Sequence, residues 1–188
     1  PLMPRDTAAY LMDRPWCHIA GNHDRLLLGG DPGDMIPSDA YAHSCLSPLV
    51  LEWVQKLPSS AVLHDRLFLC HGSPRTDSEY LLETVEQGKV RPATPDEISI
   101  RLGSVAAPVV LCGHSHLPRS VRAPTGQLVV SPGSVGLQAY DDDSPEYHVI
   151  ETGSPEARYA VIERIGESWG VEFIAVAYNY EPVVELAR

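Results

Sequence analysis

The 188-residue sequence predicts an α/β fold organised as one globular domain. Two observations support this prediction. The chain is 44% hydrophobic and 21% charged, which is typical of a domain that buries a core. Short apolar runs of strand length also alternate with helix-length segments in the first half, and the second half is rich in strand-like runs.

The first half of the chain combines helices with strands. Apolar residues from Ser47 to Leu57 recur at helical spacing, and Ser47 followed by Pro48 is a favourable helix start. In chain order, we predict a helix over residues 4–12, a buried strand over 16–20, this amphipathic helix over 47–57, and two strands, AVLHD and RLFLCHG, around a turn at 64–66.

The second half is predicted to be mostly strand. Pro95 opens a clear helix that extends to about Leu102, and a weaker pattern favours helix at residues 77–87. The predicted strands that follow are PVVLC, PRSVRA, QLVVSPGSVG, ARYAVIER and WGVEFIAVAY. DDDSPE at residues 141–146 has the composition of a solvated acidic loop, and YEPVVELAR begins a helix.

Charge, hydropathy and cysteine content exclude several classes of partner. The formal net charge of −11 would repel a phosphate backbone, so we expect no bulk nucleic-acid binding. The apolar runs are far shorter than the roughly 20 residues that span a bilayer, so we expect no membrane segment. The four cysteines form no CxxC pair, and three lie in apolar runs, which predicts reduced thiols and a cytoplasmic protein.

Three short motifs place histidine at the ends of predicted strands. GNHD follows the strand at 16–20, CHG ends the strand RLFLCHG, and GHSH follows PVVLC. Divalent transition metals favour imidazole and amide ligands, and strand ends hold such groups in fixed positions. Asn22, His71, His114 and His116 are therefore candidate metal ligands. The two histidines of GHSH share a face if the segment is extended, whereas a looser loop lets them reach two different metals.

These motifs resemble those of the calcineurin-like metallophosphoesterase family, in which GNH with an acidic residue, His-Gly after a strand, and GHxH occur in this order. SPGSVG at residues 131–136 resembles the NPGS turn of the smaller bacterial members, with Ser131 in place of asparagine. The resemblance covers nearly the whole chain. It implies a four-layer αββα sandwich, in which two mixed β-sheets face each other with helices on both outer sides.

The function implied by the resemblance is metal-dependent hydrolysis of a phosphomonoester or phosphodiester, carried by a small molecule or nucleotide. Asn22, His71 and His114 would ligate the second of two divalent metal ions, and His116 the first. The two ions would activate a hydroxide as nucleophile. Mn²⁺ is the first expectation, with Fe, Zn and Ni open, because nitrogen and oxygen ligands discriminate poorly among them.

Two further residues of GNHD have implied roles. By the same resemblance, His23 would act as general acid toward the leaving group. Asp24 would orient the imidazole of His23, or cap the helix that follows, and the two roles are compatible.

The family's first two motifs, DxH and GDxx, have no counterpart in residues 1–20. We expect them in sequence preceding Pro1, and we expect the helix begun by YEPVVELAR to continue past Arg188. Without those ligands, residues 1–188 are predicted to hold at most one weakly bound ion and to have little activity. A true loss of the motifs would favour the alternative function, a non-catalytic protein-binding scaffold like the retromer subunit of this fold. The retained histidine of GNHD argues against that alternative.

The remaining polar residues of interest are predicted to be structural or exposed. Arg75 and Arg119 lie within four residues of a predicted ligand and could bind phosphate, but solvated surface positions are favoured. A protease-like pair of Cys70 and His71 is excluded, because neighbours in a strand point to opposite faces. The histidines predicted to be structural or surface residues are His18, His43, His64 and His148. Homo-oligomerisation is left open by the sequence.

Overall fold

The computed structural model describes residues 2–29, 33 and 35–187. The chain divides into two compact units: the first unit consists of Pro1–Ala61 with Asn179–Arg188, and the second unit of Val62–Tyr178. The mixed α/β class predicted from the sequence is confirmed. No helix among the described residues combines the length and the apolar character that a bilayer crossing requires.

Helices come first along the chain, and strands make up most of the remainder. In chain order, the elements are α1 (Pro4–Met12), α2 (Asn22–Gly29), α3 (Pro37–Cys45), α4 (Pro48–Gln55), β1 (Ser60–Leu63), β2 (Leu67–Cys70), β3 (Glu83–Glu86), β4 (Lys89–Pro92), α5 (Pro95–Leu102), β5 (Val109–Leu111), β6 (Pro118–Arg122), β7 (Leu128–Pro132), β8 (Ala139–Asp142), β9 (His148–Glu151), β10 (Ala157–Ile165), β11 (Ser168–Val176) and α6 (Glu181–Leu186).

Three predicted helices, α1, α4 and α5, form where local sequence chemistry starts them. Each begins with proline, whose fixed φ suits the first helical position. The hydroxyl of Ser47 accepts a hydrogen bond from the backbone N–H of Val50 over 3.4 Å, as predicted for an N-cap. Thr94 and Glu97 form a complete capping box at the start of α5.

The strand predicted over residues 16–20 is wrong. Residues 15–21, all within the described range, form neither helix nor strand, so GNHD opens α2 instead of ending a strand. The segment does not pair with a sheet, and its aromatic rings pack against the rings of helices α1 and α4. Trp16 packs edge-on against Tyr10 with ring centroids 5.9 Å apart, and His18 packs edge-on against Trp53 at 5.5 Å.

A five-stranded mixed sheet forms the centre of the fold, with strand order β1-β2-β5-β7-β6. β2 pairs with β5, and β5 with β7, in parallel, whereas β6 runs antiparallel to β7. Val109 and Val110 of β5, like Val129 and Val130 of β7, are fully buried, as is usual for parallel strands covered on both faces.

Three antiparallel hairpins accompany this sheet. The helix predicted over residues 77–87 is wrong, because the first strand of the β3–β4 hairpin occupies part of that segment. Gln87 and Gly88 connect these strands with φ of 54° and 71°, the geometry of a tight hairpin turn. β8–β9 was not predicted, because its strands flank the acidic run expected to be a loop. β10–β11, with nine residues in each strand, matches the two strands predicted there.

The hydrophobic core of the second unit consists of two clusters on the two faces of the central sheet. The smaller cluster contains Val109, Leu128 and Val130, and residues of β10 and β11 pack against it. The larger cluster contains Cys70, Leu81, Leu82, Ile98, Leu102, Val110, Cys112, Ala123 and Val129. α5 contributes Ile98 and Leu102 to this cluster, so the capping box fixes the start of a helix that covers the sheet.

Candidate functional site

His71 and the GHSH motif lie at the same edge of the central sheet. β2 ends at Cys70 and β5 at Leu111, and because these neighbouring strands are parallel, their carboxyl ends meet at one edge. The N–H of Gly113 donates to the carbonyl oxygen of His71 over 2.6 Å. The ring centroids of His71 and His114 are 5.4 Å apart. The second unit thus brings together two of the predicted metal ligands.

Both histidines of GHSH have a left-handed backbone, with φ of 67° at His114 and 58° at His116. This region is unfavourable for residues other than glycine, and such strain concentrates at functional sites. Ser115 between them is 1% exposed, and its N–H donates to the carbonyl oxygen of Gly113 over 2.8 Å. The motif is therefore a tight loop and not an extended segment.

The ring of His116 is oriented by a backbone carbonyl. Its Nδ1 lies 2.8 Å from the carbonyl oxygen of Leu137, and since a carbonyl only accepts, Nδ1 donates. In the neutral ring, Nε2 then carries the lone pair. This arrangement is common among metal-binding histidines, because it fixes both the tautomer and the direction of the ring.

Two tyrosines and a buried histidine surround the GHSH loop. The ring of Tyr80 stacks on His114 with centroids 4.7 Å apart, and its hydroxyl lies 2.9 Å from Nε2 of His148 and 3.0 Å from the hydroxyl of Tyr140. Tyr140 also donates to the carbonyl oxygen of His114 over 3.2 Å, and its ring packs edge-on against His116. Burial raises the pKa of both tyrosines, so their hydroxyls stay protonated at neutral pH.

A buried carboxylate lies behind the same loop. Glu83 is 2% exposed and accepts a hydrogen bond from Nε of Arg119 over 3.0 Å. Burial raises the pKa of Glu83 more than its contacts with Ser115 and Arg119 lower it. Arg119, expected at the solvated surface, is therefore engaged in an ion pair with a buried partner.

The SPGSVG turn connects β7 to the carbonyl that orients His116. Gly133 has a φ of 86°, and a methyl group there would lie 3.0 Å from Cβ of Arg158, so glycine is required for two reasons. Ser131, which stands where the resembling family has asparagine, is fully buried, and its hydroxyl has no hydrogen-bond partner among the described residues.

In the first unit, His23 makes a close pair with a residue that sequence reasoning did not single out. Its Nδ1 lies 2.9 Å from both carboxylate oxygens of Asp39, whose side chain is 3% exposed, whereas that of His23 is 48% exposed. A buried carboxylate that holds one nitrogen of an accessible imidazole fixes the direction of the ring.

Of the two roles expected for Asp24, its contacts match the one at the start of the helix. Its carboxylate accepts a hydrogen bond from the N–H of Gly21 over 2.8 Å, which is a helix-start contact, and the hydrogen bond to His23 belongs to Asp39 instead. Burial raises the pKa of Asp24 more than this hydrogen bond lowers it. Asn22, the first residue of α2, is half-buried.

Arg75, His148 and Cys70 are not candidate metal ligands, and each has its own setting. Arg75 pairs with Glu79, its Nε lying 3.2 Å from a carboxylate oxygen. His148 is structural, as expected, and it is 1% exposed. Burial raises the pKa of the Cys70 thiol to about 12, which argues further against a thiolate nucleophile beside His71.

The donor groups suit a divalent transition metal, but the described residues do not complete a site. Imidazoles of His71 and His114, and Nε2 of His116, are suitable ligands for Mn, Fe, Zn or Ni. Within residues 2–29, 33 and 35–187, no group of three or more His, Cys, Asp or Glu side chains is arranged to hold a metal ion. The second unit therefore supplies ligands of the correct type without forming a whole cage.

Sequence reasoning missed the residues that support the motifs. Asp39 lies in α3, for which no helix was predicted, and Glu83 and Tyr80 lie in the segment that was wrongly expected to be helical. Tyr140 and His148 alternate with exposed residues along β8 and β9, and this period of two was the available signal.

Among solved structures, one has a fold similar to that of this chain. A metallophosphoesterase from Sphaerobacter thermophilus has a similar structure, with a TM-score of 0.71 and 20% sequence identity over 98% of this chain and 76% of that chain. A single mutant of Vps29 from Entamoeba histolytica matches with a TM-score of only 0.36 and 14% identity, covering 88% of this chain and 94% of that one. No curated protein matches the chain significantly.

A family model gives the decisive comparison. The model of the calcineurin-like phosphoesterase superfamily domain matches residues 4–154, which include GNHD, CHG, GHSH and the SPGSVG turn. The chain belongs to the calcineurin-like phosphoesterase superfamily.

Proposed function

We propose that the protein is a metal-dependent phosphoesterase, which hydrolyses a phosphomonoester or phosphodiester of a small molecule or nucleotide. One observation carries the proposal: two neighbouring parallel strands deliver His71 and His114 to the same sheet edge, with ring centroids 5.4 Å apart. Family membership supports this class of reaction. We also propose the four-layer αββα arrangement for the complete fold.

We propose that His71 and His114 are ligands of one divalent metal and that His116 is a ligand of another, with Mn²⁺ as the first expectation. Asn22 joins the ligand set by the resemblance of GNHD to the family motif. When bound, two such ions supply the activated nucleophile and neutralise charge on the phosphoryl oxygens. The protein's own part is to present imidazole nitrogens in fixed directions, as Leu137 does for His116.

His23 is proposed as the general acid. A leaving-group oxygen needs a proton as its bond to phosphorus breaks, and an accessible imidazolium is a suitable donor. Asp39 holds Nδ1 of His23, so Nε2 is the nitrogen that would deliver the proton. Asp24, paired with the N–H of Gly21, supports the start of the helix that carries His23.

The proposed setting is the cytoplasm, with a small phosphoester as partner. Cys70 and Cys112 are free thiols buried in the core, which suits a reducing compartment. The net charge of −11 supports a small substrate over bulk nucleic acid.

The test is hydrolysis of bis(p-nitrophenyl) phosphate and p-nitrophenyl phosphate by the full-length protein with Mn²⁺, before and after chelation. We expect chelation and His114→Ala each to reduce kcat/KM by at least about 100-fold. His64→Ala is the matched control, because His64 also has a positive φ, 51°, but lies exposed in the β1–β2 turn. It should retain activity within about twofold.

Activity that survives both chelation and His114→Ala would exclude the proposed chemistry. A stable protein with no metal-dependent activity toward any phosphoester would favour the scaffold alternative.

A further inference from the structure

The hydrogen bonds around Tyr80 have a fixed direction. Nδ1 of His148 lies 2.8 Å from the carbonyl oxygen of Glu146, so Nδ1 donates and Nε2 of the neutral ring accepts. The hydroxyl of Tyr80 must therefore donate to His148 over 2.9 Å. The oxygen of Tyr80 is left to accept from Tyr140 over 3.0 Å. The proton of Tyr140 is thus shared between the oxygen of Tyr80 and the carbonyl oxygen of His114, 3.2 Å away.

The β8–β9 hairpin supplies two of these groups from one face. Tyr140 and His148 point inward together with their partners in register, and His148 is 1% exposed. The residues that alternate with them, at positions 139, 141, 149 and 151, are exposed. The inward face of the hairpin therefore contacts the GHSH loop through Tyr140.

Tyr140 contacts both predicted ligands of that loop. Its hydroxyl bonds the backbone of His114, and its ring packs against the ring of His116 with centroids 5.2 Å apart. Tyr80 holds the ring of His114 from another side by stacking at 4.7 Å. Since both histidines have left-handed backbones, the loop needs surrounding contacts to retain this conformation.

We propose that Tyr140 is a positioning residue, which holds the GHSH loop in its left-handed conformation through a chain of hydroxyl contacts with Tyr80 and His148. The hairpin β8–β9 is the element that brings Tyr140 to the loop. The consequence for metal binding rests on the proposed function, whereas the consequence for loop conformation does not.

Hydrogen–deuterium exchange on the metal-free, full-length protein tests the proposal. Tyr140→Phe keeps the ring and removes the hydroxyl, and we expect amide exchange in residues 113–117 to accelerate about fivefold or more. Tyr147→Phe is the matched control, because Tyr147 lies in the same hairpin and is 59% exposed. Exchange in residues 113–117 that is no faster in Tyr140→Phe than in Tyr147→Phe would overturn the proposal.

A double variant tests whether the hydroxyls of Tyr80 and Tyr140 act together in one hydrogen-bonded chain or affect the loop independently. Tyr80→Phe keeps the stack on His114 but removes the shared hydroxyl, so the effects of Tyr80→Phe and Tyr140→Phe on exchange should combine to less than their product. Fully multiplicative effects would contradict a shared chain. Thermal melting of each metal-free variant verifies that the fold persists.

Titration with Mn²⁺ distinguishes failure of this proposal from failure of the proposed function. We expect Tyr140→Phe to weaken Mn²⁺ binding about tenfold, with Tyr147→Phe unchanged. Unaltered binding in Tyr140→Phe would contradict the positioning role. A wild-type protein that binds none of Mn²⁺, Fe²⁺, Zn²⁺ and Ni²⁺ would overturn the proposed function, while the exchange measurement would still decide whether Tyr140 holds the loop.

Discussion

His23 and Asp39 show how one buried carboxylate gives direction to an accessible side chain. Nδ1 of His23 meets both oxygens of Asp39 at 2.9 Å, and the position of Asp39 in α3 fixes the approach. The same logic of support applies to His116, whose Nδ1 is held by a carbonyl. In both cases the nitrogen that the support holds is Nδ1.

A general acid should matter most when the leaving group is poor. We expect His23→Ala to reduce kcat about 100-fold with an alkyl phosphoester, and far less with a nitrophenyl ester, whose leaving group needs little protonation. Asp39→Asn should show the same dependence on the leaving group, with a smaller loss of kcat. Steady-state kinetics with a series of leaving groups measures this, with His43→Ala as the control. Equal losses across the series would rule out proton donation by His23.

Gly72 illustrates a glycine required for space. A methyl group there would lie 2.7 Å from the carbonyl oxygens of both Thr76 and Glu79, atoms of backbone that cannot move aside cheaply. We expect Gly72→Ala to lower the free energy of unfolding by roughly 3 kcal/mol. Gly136→Ala, with nothing within 4 Å, should change it by less than about 1 kcal/mol. Urea denaturation compares the two, and similar losses would refute the packing argument.

At the scale of elements, α5 owes its position to a charged N-terminus. Arg91 donates to Glu97 over 2.9 and 3.0 Å, and the N–H of Thr94 donates to the same carboxylate. These hydrogen bonds, those from Arg91 first, hold the pKa of Glu97 well below its ordinary value of 4.5. The helix so anchored carries Ile98 and Leu102 into the core.

The lowered pKa of Glu97 has a defined pH signature. A carboxylate with a depressed folded-state pKa stabilises the protein above its unfolded-state pKa, and the stabilisation is lost as the pH falls toward the folded-state value. We expect the wild type to melt above Glu97→Gln at neutral pH, with a difference that shrinks below pH 4.5. Glu167→Gln, whose side chain is 98% exposed, is the control. A difference that grows toward acid pH would contradict this sign.

Local chemistry made some elements predictable and left others hidden. α4 and α5 begin with proline and a capping side chain, which are signals contained in a few adjacent residues. The strand predicted over 16–20 was wrong because packing of His18 against Trp53, which is distant in sequence, decided the conformation. The helix predicted over 77–87 was wrong because Glu83–Glu86 pairs with the adjacent strand Lys89–Pro92 in a hairpin. β8–β9 stayed hidden because its outward residues include acidic ones that resemble a loop.

At the scale of the whole molecule, burial is uneven. The second unit contains both hydrophobic clusters, and Val109, Val110, Val129 and Val130 within them are fully buried. In the first unit, the buried residues of α1 and α3 are Ala8, Asp39 and Ala42.

Because burial differs between the two units, we expect their backbone amides to differ in protection from hydrogen exchange. Since amides in well-packed strands exchange only through large unfolding events, we expect β5 and β7 to exchange at least about tenfold more slowly than α1 and α3. Hydrogen exchange followed by mass spectrometry measures this directly. Amides of α1 as protected as those of β5 would show that burial does not govern stability in this protein.

The candidate site was predictable as a list of ligand types but not as an arrangement. Histidines after strands are visible in the sequence, and the structure places His71 and His114 together because β2 and β5 are parallel neighbours. The metal-ligand roles stay predictions. The supporting shell of Asp39, Glu83 and Tyr140 could not be inferred, because each reaches its partner across 16 or more residues of chain.

At His114 and His116 of GHSH, the residue best suited to the left-handed backbone differs from the residue proposed for metal binding. Glycine and asparagine adopt this conformation at lower cost, so a population selected for protease resistance alone should drift toward them at positions 114 and 116. Selection for turnover should keep histidine. Comparing the sequences that survive each of the two selections would then show which strained positions the protein retains for its chemistry.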